Sequence, residues 1–338
     1  MKASDLTTII ASLVVQKVPT FLWGAPGIGK SSIVKQISKE KGIGFIDLRL
    51  SLMDPTDLKG VPFYDKESHT ALWAPPAFLP REGEGILFLD ELNSAPPSVQ
   101  ASAYQLILDR KVGEYELPDG WAIVAAGNRE GDRGVTYRMP APLANRFVHF
   151  EMEVNVDDWR DWAYKNTLDE RIISYISFKN EHLFTFDAKS DNKSFATPRS
   201  WEYVHNILKS DISEELILSA LSGAVGKDVS VGFLSFSKVM NKLPDIENIL
   251  ACAKSPDGDD NNIYSEEVDV LYALSTGLVS KLLQKNTEER LDNLLRYTLD
   301  LKSEFAVMIV QDLQRNGVTM EHSQVFKKWV QKFAYLLS

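Results

Sequence analysis

Residues 24–31 read Gly24-Ala25-Pro26-Gly27-Ile28-Gly29-Lys30-Ser31, which fits the phosphate-binding pattern G-x-x-x-x-G-K-[ST]. The apolar run Thr20–Trp23 precedes this stretch, and a helix is expected from Ser31 to about Lys41. The glycines let the backbone bend around a phosphate and direct its N–H groups at it, and the start of the helix adds partial positive charge. In this pattern Lys30 reaches the outer phosphates and Ser31 binds Mg²⁺. The stretch therefore predicts a nucleoside triphosphatase.

An acid pair further along the chain completes such a site. The apolar run Ile86–Leu89 ends in Asp90-Glu91, and an unbroken apolar run is typical of a strand buried on both faces of a parallel sheet. At the carboxyl edge of an open α/β sheet, acids are accessible to a ligand. We expect Asp90 to hold Mg²⁺ together with Ser31, and Glu91 to polarise the attacking water as general base. The alternative is a strand that ends in a solvated turn, and the phosphate-binding stretch upstream favours the metal site.

Three further polar residues are candidates for the site. Asn128 follows the apolar run Trp121–Ala126 and could orient the attacking water or contact the γ-phosphate, but Gly127-Asn128 could also form a simple turn. Arg146 lies among apolar anchors, and Pro198 could open a helix that carries Arg199 in its first turn. Either arginine could instead form an ordinary surface ion pair.

With these stretches in this order, the chain resembles the AAA+ ATPases, and among them the MoxR-type, dynein-related branch. The resemblance covers the chain to about residue 210, and the rest resembles only a helical lid with a C-terminal extension. Five stretches carry it: GAPGIGKS at 24–31, ILFLDELNSAPPSVQ at 86–100, VAAGNRE at 124–130, PLANRFVHFE at 142–151 and TPRSWEYV at 197–204.

The resemblance implies a role for each candidate residue within one subunit. Residues 24–31 would be the Walker A loop that binds ATP, and Asp90 with Glu91 would be the Walker B pair. Ser31 and Asp90 would hold Mg²⁺, Glu91 would act on the water, and Asn128 would be sensor 1.

The resemblance also implies an assembly. Arg146 would be the arginine finger that acts on the ATP of a neighbouring subunit, and Arg199 would be sensor 2 on the lid. The family forms rings, usually hexamers, and MoxR-type members usually remodel proteins together with a separate von Willebrand factor A domain protein. A cation supplied in trans makes hydrolysis depend on assembly.

Alternating strand-like and helix-like patterns predict an α/β fold for residues 1–155: a P-loop NTPase domain with a three-layer αβα parallel sheet. Connecting helices and a loop are expected over 156–195, and an all-helical lid with a C-terminal helical extension over 196–338. The expected strands are Thr20–Trp23, Gly44–Leu48, Ile86–Leu89, Trp121–Ala126 and Phe147–Glu151. The expected helices include Ser31–Lys41, Ser98–Asp109, Glu214–Ala224, Val268–Lys285, Glu288–Leu301, Glu304–Gln314 and Ser323–Leu336.

Two segments fit further features of the MoxR-type pattern. Residues 48–60 correspond to an insert in helix 2 that points toward the ring pore, and residues 111–120 to a hairpin before the sensor 1 strand. A plain surface loop and a plain hairpin are the alternatives. The acidic, glycine-containing residues 255–262 do not fit a calcium loop, because the glycine and glutamate that such a loop needs are missing at its sixth and twelfth positions.

Composition excludes several classes of protein. The 338 residues carry a net charge of −10, which argues against nonspecific binding to nucleic acid. No apolar run approaches the ~18 residues of a membrane span. The single cysteine, Cys252, fits a reducing compartment, and we expect a buried structural thiol and a cytoplasmic protein.

The leading hypothesis is an ATP-hydrolysing, ring-forming remodeller of a protein partner. One alternative is a motor or loader with the same fold that acts on nucleic acid, which the acidic balance disfavours. Another is a nucleotide-gated scaffold with slow hydrolysis, which the complete set Asp90, Glu91, Asn128 and Arg146 disfavours.

Overall fold

The apolar runs before the polar motifs form strands of one parallel sheet. In the computed structural model, which describes residues 1–67, 69–129, 131–132, 136–252, 267–333 and 336, the strands of the described chain are β1 (Thr20–Trp23), β2 (Gly44–Arg49), β3 (Val61–Asp65), β4 (Thr70–Ala74), β5 (Glu84–Asp90), β6 (Lys111–Val112), β7 (Tyr115–Glu116), β8 (Gly120–Gly127) and β9 (Val148–Glu151). Five of them pair in parallel in the order β2-β5-β8-β1-β9. The five predicted sheet strands are confirmed, with ends that differ by one or two residues.

Both faces of this sheet are covered, as the αβα prediction requires. Its helices are α1 (Ala3–Val15), α2 (Lys30–Lys41), α3 (Pro55–Lys59), α4 (Pro97–Asp109) and α5 (Ala141–Ala144). Leu87 and Leu89 of β5 share a buried cluster with α4 residues such as Ala103 and Leu106. The alternate residues Ile86 and Phe88 are equally buried and fall on the opposite face, where α2 contacts β5 and α1 contacts β8. Two helical layers therefore enclose a strand set that is buried on both sides.

Two hairpins are attached to the sheet domain. The expected hairpin before β8 is confirmed: β6 and β7 pair antiparallel, with Gly113 in the turn at φ 60°. The second hairpin, β3 with β4, was not predicted. It follows residues 48–60, which form the end of β2, a 3₁₀ turn at Leu50–Leu52 and the short helix α3.

The chain divides into two units, and the second is helical. The first comprises Met1–Asn155 with Asp187–Ser190, and the second comprises Val156–Phe186 with Asp191–Ser338. A division of the second unit at residues 156–195 and 196–338 stays a prediction. The helices of the second unit are α6 (Val156–Lys165), α7 (Glu170–Phe178), α8 (Pro198–Leu208), α9 (Glu214–Val225), α10 (Lys227–Ser237), α11 (Ile246–Cys252), α12 (Val268–Gln284), α13 (Glu288–Thr298), α14 (Ser303–Arg315) and α15 (Gln324–Phe333).

The expectation for Cys252 is wrong. Its side chain is exposed at the last residue of α11, and its Sγ donates a hydrogen bond to the Asn248 carbonyl at 3.1 Å. Ile249 and Leu250 take the buried side of this short helix instead. Residues 255–262, considered for calcium, lie outside the described residues. In the part of the chain that is described, no helix combines the length and the apolar character that a membrane crossing needs.

Candidate functional site

The carboxyl ends of three adjacent strands bring the predicted residues together. β8 lies between β1 and β5, with Trp23 in register with Gly127 and Ala125 with Leu89. Because the phosphate-binding stretch follows β1, the acid pair ends β5 and Asn128 follows β8, these groups meet at one sheet edge. Asn128 occupies the middle of that edge.

Glycines shape the loop between β1 and α2. Gly27 and Gly29 have φ values of 76° and 101°, which other residues adopt only at a cost, and an added Cβ at Gly29 would meet no atom within 4 Å. The loop is therefore open at Gly29, directly before the first N–H groups of α2. Such a helix start attracts anions.

The Lys30 ammonium is held over this loop. It donates hydrogen bonds to the carbonyls of Gly24 at 2.6 Å and Ala25 at 3.0 Å, and to Oδ1 of Asn128 at 3.3 Å. A fixed cation beside open backbone N–H groups can bind the phosphates of a nucleotide.

Acidic side chains on β2 and β5 concentrate negative charge on the side of Asn128 opposite to the phosphate-binding loop. Burial raises the pKa of Asp90, and the charges of Asp47 and Glu91 act in the same direction. The Glu91 N–H, which donates to Asp90 Oδ1 at 2.9 Å, and the Lys30 ammonium oppose them. Burial also raises the pKa of Asp47, against the nearby guanidinium of Arg49. The ionised form of Asp90 therefore gains from a bound cation.

The donors fit Mg²⁺ in kind. Mg²⁺ usually keeps several waters and takes one or two carboxylates together with substrate phosphates. Ser31, in the first turn of α2, supplies a hydroxyl and Asp90 a carboxylate. Within the described ranges no group of three or more His, Cys, Asp and Glu is placed to hold a metal, so phosphate and water would complete the shell.

Glu91 has an unusual backbone and a partner that the sequence did not reveal. Its φ of 57° lies in the left-handed region, where a residue with a Cβ is strained. Ser51, in the 3₁₀ turn after β2, donates a hydrogen bond to Oε2 of Glu91. Ser51 lies 40 positions away in sequence, and the segment 48–60 that contains it gave no sign of a contact with Glu91; the pairing of β2 with β5 places the two side by side.

Two more residues at this edge escaped sequence analysis. The buried Asn93 hydrogen-bonds the backbone of Asn128 through its side chain. Arg129 forms an ion pair with Glu151 at 2.7 Å and donates to the Met152 carbonyl at 3.1 Å, and so ties the end of β8 to the end of β9. Asn93 lies two residues after Glu91 and Arg129 directly follows Asn128, and this proximity to predicted site residues was the available signal.

Neither of the two candidate arginines takes part in the hydrogen bonds and ion pairs described at this sheet edge. Arg146 follows α5 on the surface, and its side chain makes no hydrogen bond or ion pair with any other residue that the structure describes. Arg199 is exposed in the first turn of α8, which Pro198 opens as predicted and which Thr197 and Ser200 cap reciprocally. It belongs to the second unit. The catalytic roles of both arginines stay predictions.

A family profile and several known proteins match parts of this chain. Residues 20–149 match the sequence profile described as "ATPase family associated with various cellular activities (AAA)". Midasin from Giardia intestinalis is 28% identical over 177 residues, 49% of this chain and 4% of its own. Protein MoxR from Methylorubrum extorquens is 26% identical over 145 residues, 41% of either chain. The matches thus span less than half of these relatives.

A solved structure resembles the chain loosely over most of its length. It is a putative ATPase from Cytophaga hutchinsonii, which aligns with 97% of this chain and 88% of its own, at 13% identity and a TM-score of 0.36. A likeness this loose carries no argument about function.

Proposed function

We propose that this chain, an AAA+ ATPase of the MoxR type, works as a ring of identical subunits that hydrolyses ATP to remodel a protein partner. The observation that carries the proposal is the shared sheet edge, where the Lys30 ammonium contacts Asn128 on one side and the Asp90-Glu91 pair ends β5 on the other. The phosphate-binding cation lies on one side of the end of β8 and the pair of acids on the other, and this arrangement suits triphosphate hydrolysis.

Each residue has a role in this reaction. The loop of residues 24–31 and Lys30 hold the phosphates, and Glu91 accepts a proton from the water that attacks the γ-phosphate. Asn128 orients that water or the γ-phosphate. Mg²⁺, held by Ser31 and Asp90, would neutralise negative charge on the phosphates.

Assembly would complete the site. Because the Arg146 side chain is exposed and makes no hydrogen bond or ion pair with the other described residues, its guanidinium is available to a neighbouring subunit's ATP. A cation placed at the transferring phosphoryl group stabilises the charge of the transition state. We propose a hexamer in which Arg146 acts in trans and Arg199 contacts the γ-phosphate from the lid. The resemblance supports a von Willebrand factor A domain protein as the partner, and the single cysteine supports a cytoplasmic location.

A complementation assay tests the shared site. Arg146→Ala subunits keep the acid but lack the finger, and Glu91→Gln subunits keep the finger but lack the acid. We expect each alone to lose at least ~100-fold in kcat and the mixture to regain activity, because a Glu91→Gln subunit can serve its neighbour. Arg296→Ala, at an exposed position of α13, is the control and keeps wild-type turnover.

Several outcomes would contradict the proposal. Wild-type turnover in Lys30→Ala or Glu91→Gln would refute the assigned chemistry, and a mixture no more active than its components would refute action in trans. Hydrolysis that nucleic acid stimulates, with steep salt dependence, would identify a nucleic-acid motor instead. Slow hydrolysis in the assembled ring that the protein partner does not stimulate would identify a nucleotide-gated scaffold.

A further inference from the structure

We infer that Asn93 is a positioning residue for Asn128: its side-chain amide fixes the backbone of Asn128 and so sets where that residue's own side chain lies. Asn93 follows the acid pair in the 3₁₀ turn Leu92–Ser94 and is 2% exposed. Its Nδ2 donates to the Asn128 carbonyl at 2.7 Å, and its Oδ1 accepts from the Asn128 N–H at 3.1 Å. Both backbone groups of Asn128 are thus satisfied by one side chain.

This contact extends the sheet beyond its last regular pair. The β5–β8 register ends at Leu89 with Ala125, so β5 supplies no backbone partner for Asn128. The amide of Asn93 presents a donor and an acceptor side by side, as a neighbouring strand would. An aspartate of the same shape lacks the donor and would set a carboxylate against the Asn128 carbonyl.

Gly127 makes room for the contact. A Cβ there would lie 2.2 Å from Asn93 Oδ1 and 2.9 Å from Phe21 Cζ, both closer than real atoms approach. Gly127 ends β8 with extended backbone and forms no tight turn. The Gly-Asn pair is therefore explained by the close approach of Asn93 and not by turn formation.

The amide connects separate parts of the site. Asn93 lies two residues after Glu91, and its carbonyl accepts from the Tyr137 N–H at 2.7 Å. The fixed Asn128 presents Oδ1 to the Lys30 ammonium at 3.3 Å. One buried side chain therefore holds the acid pair in a constant relation to the phosphate-binding lysine. This inference rests on the proposed function for the role of Asn128.

A double-mutant cycle separates positioning from mere support of the fold. Asn93→Asp is placed in the wild type and in Asn128→Ala, which keeps the backbone groups that Asn93 holds. In the wild type we expect kcat to fall at least ~10-fold while the Kd for ATP changes by less than ~3-fold. In the Asn128→Ala background we expect Asn93→Asp to lower kcat by less than a further ~2-fold. The loss of thermal stability caused by Asn93→Asp should be the same in both backgrounds.

Asn293→Asp is the matched control. Asn293 is also a buried asparagine that donates to two backbone carbonyls, those of Leu250 and Ala251, but it lies in the second unit. We expect its variant to lose stability and keep kcat. If Asn93→Asp does not fold, Asn93→Ala replaces it, because alanine brings no carboxylate against the carbonyl.

The positioning role of Asn93 also predicts that the Asn128 amide hydrogen of the unaltered chain exchanges slowly. Fast exchange there would overturn it, as would an Asn93→Asp variant with full kcat, or a loss of kcat that persists undiminished in Asn128→Ala. Wild-type turnover in Asn128→Ala itself would overturn it as well. Failure of the proposed function is distinct, because it appears as turnover in Lys30→Ala or Glu91→Gln.

Discussion

The ammonium of Lys30 lies 3.3 Å from Oδ1 of Asn128, so the first residue of α2 contacts the residue that follows β8. Since β1 and β8 are adjacent strands, this contact joins the phosphate-binding loop, which follows β1, to the end of β8. A neutral acceptor at residue 128 orients the lysine without cancelling its charge. A charged acceptor at the same place would neutralise it.

We therefore predict that Asn128→Asp weakens ATP binding at least ~10-fold, equivalent to ~1.4 kcal/mol, because the carboxylate pairs with Lys30 and repels phosphate. Asn128→Ala removes one neutral acceptor, and its Kd stays within ~3-fold of the wild type. Calorimetric titration with a non-hydrolysable ATP analogue measures both. Equal Kd values for the two variants would show that Lys30 does not hold the phosphates.

Gly127→Ala is predicted to destabilise the sheet domain by about 1–3 kcal/mol, because its methyl group would overlap Asn93 and Phe21. The control is Gly223→Ala on α9, where an added Cβ meets no atom within 4 Å. That change should stabilise the helical unit by ~0.5–1 kcal/mol. Urea unfolding of both variants gives the comparison, and a Gly127→Ala midpoint equal to that of the wild type would contradict the packing described at Asn93.

The buried ion pair of α6 and α14 predicts a pH dependence. Asp312, 2% exposed, accepts from Arg160 at 2.6 Å, and burial raises its pKa to about 6 despite Arg160 and Arg315. Because the folded-state pKa exceeds the unfolded one, its contribution to stability is full below pH 4 and is lost as the pH rises through 6. The unfolding free energy of the wild type minus that of Asp312→Asn should therefore fall by roughly 2–3 kcal/mol between pH 4 and pH 7. A constant or rising difference would contradict the raised pKa.

His149 links two segments that flank the site. Its Nδ1 accepts from Trp23 Nε1 at 2.9 Å, and its Nε2 lies 2.8 Å from the Ala144 carbonyl, which assigns the hydrogen to Nε2. His149→Phe keeps an aromatic ring but loses both hydrogen bonds, and we expect the unfolding free energy to fall by about 1 kcal/mol. Trp23→Phe should lower the unfolding free energy less in the His149→Phe background than in the wild type. Strict additivity in urea unfolding would show that the Trp23 bond contributes nothing.

Much of the sheet domain could be predicted because its signals are local. Ile86–Leu89 is apolar at every position, so it had to be buried on both faces, and the acids at its end had to lie at an edge. The order of the strands is not a local property. No residue of β8 indicates that it lies between β1 and β5, yet this placement sets Asn128 beside Lys30.

The missed features depend on long-range contacts or lack an apolar pattern. Ser51 and Asn93 matter only through partners 40 and 35 positions away. The β3–β4 hairpin leaves Val61 and Phe63 exposed, so its sequence lacks the alternation that marks a half-buried strand. Cys252 was misplaced because the preference of thiols for the interior is statistical, whereas the phase of the helix decides the individual case.

At Glu91, whose backbone is left-handed, the stability of the fold and the hydrolysis of ATP favour different side chains. A residue with a Cβ costs about 1 kcal/mol in this conformation, whereas glycine adopts it freely and asparagine at reduced cost. Replacing the glutamate by either would strengthen the fold while removing the acid. Directed evolution of this chain for heat resistance alone should therefore enrich Gly or Asn at position 91. Variants selected in this way would lose ATP turnover first through substitutions at this position.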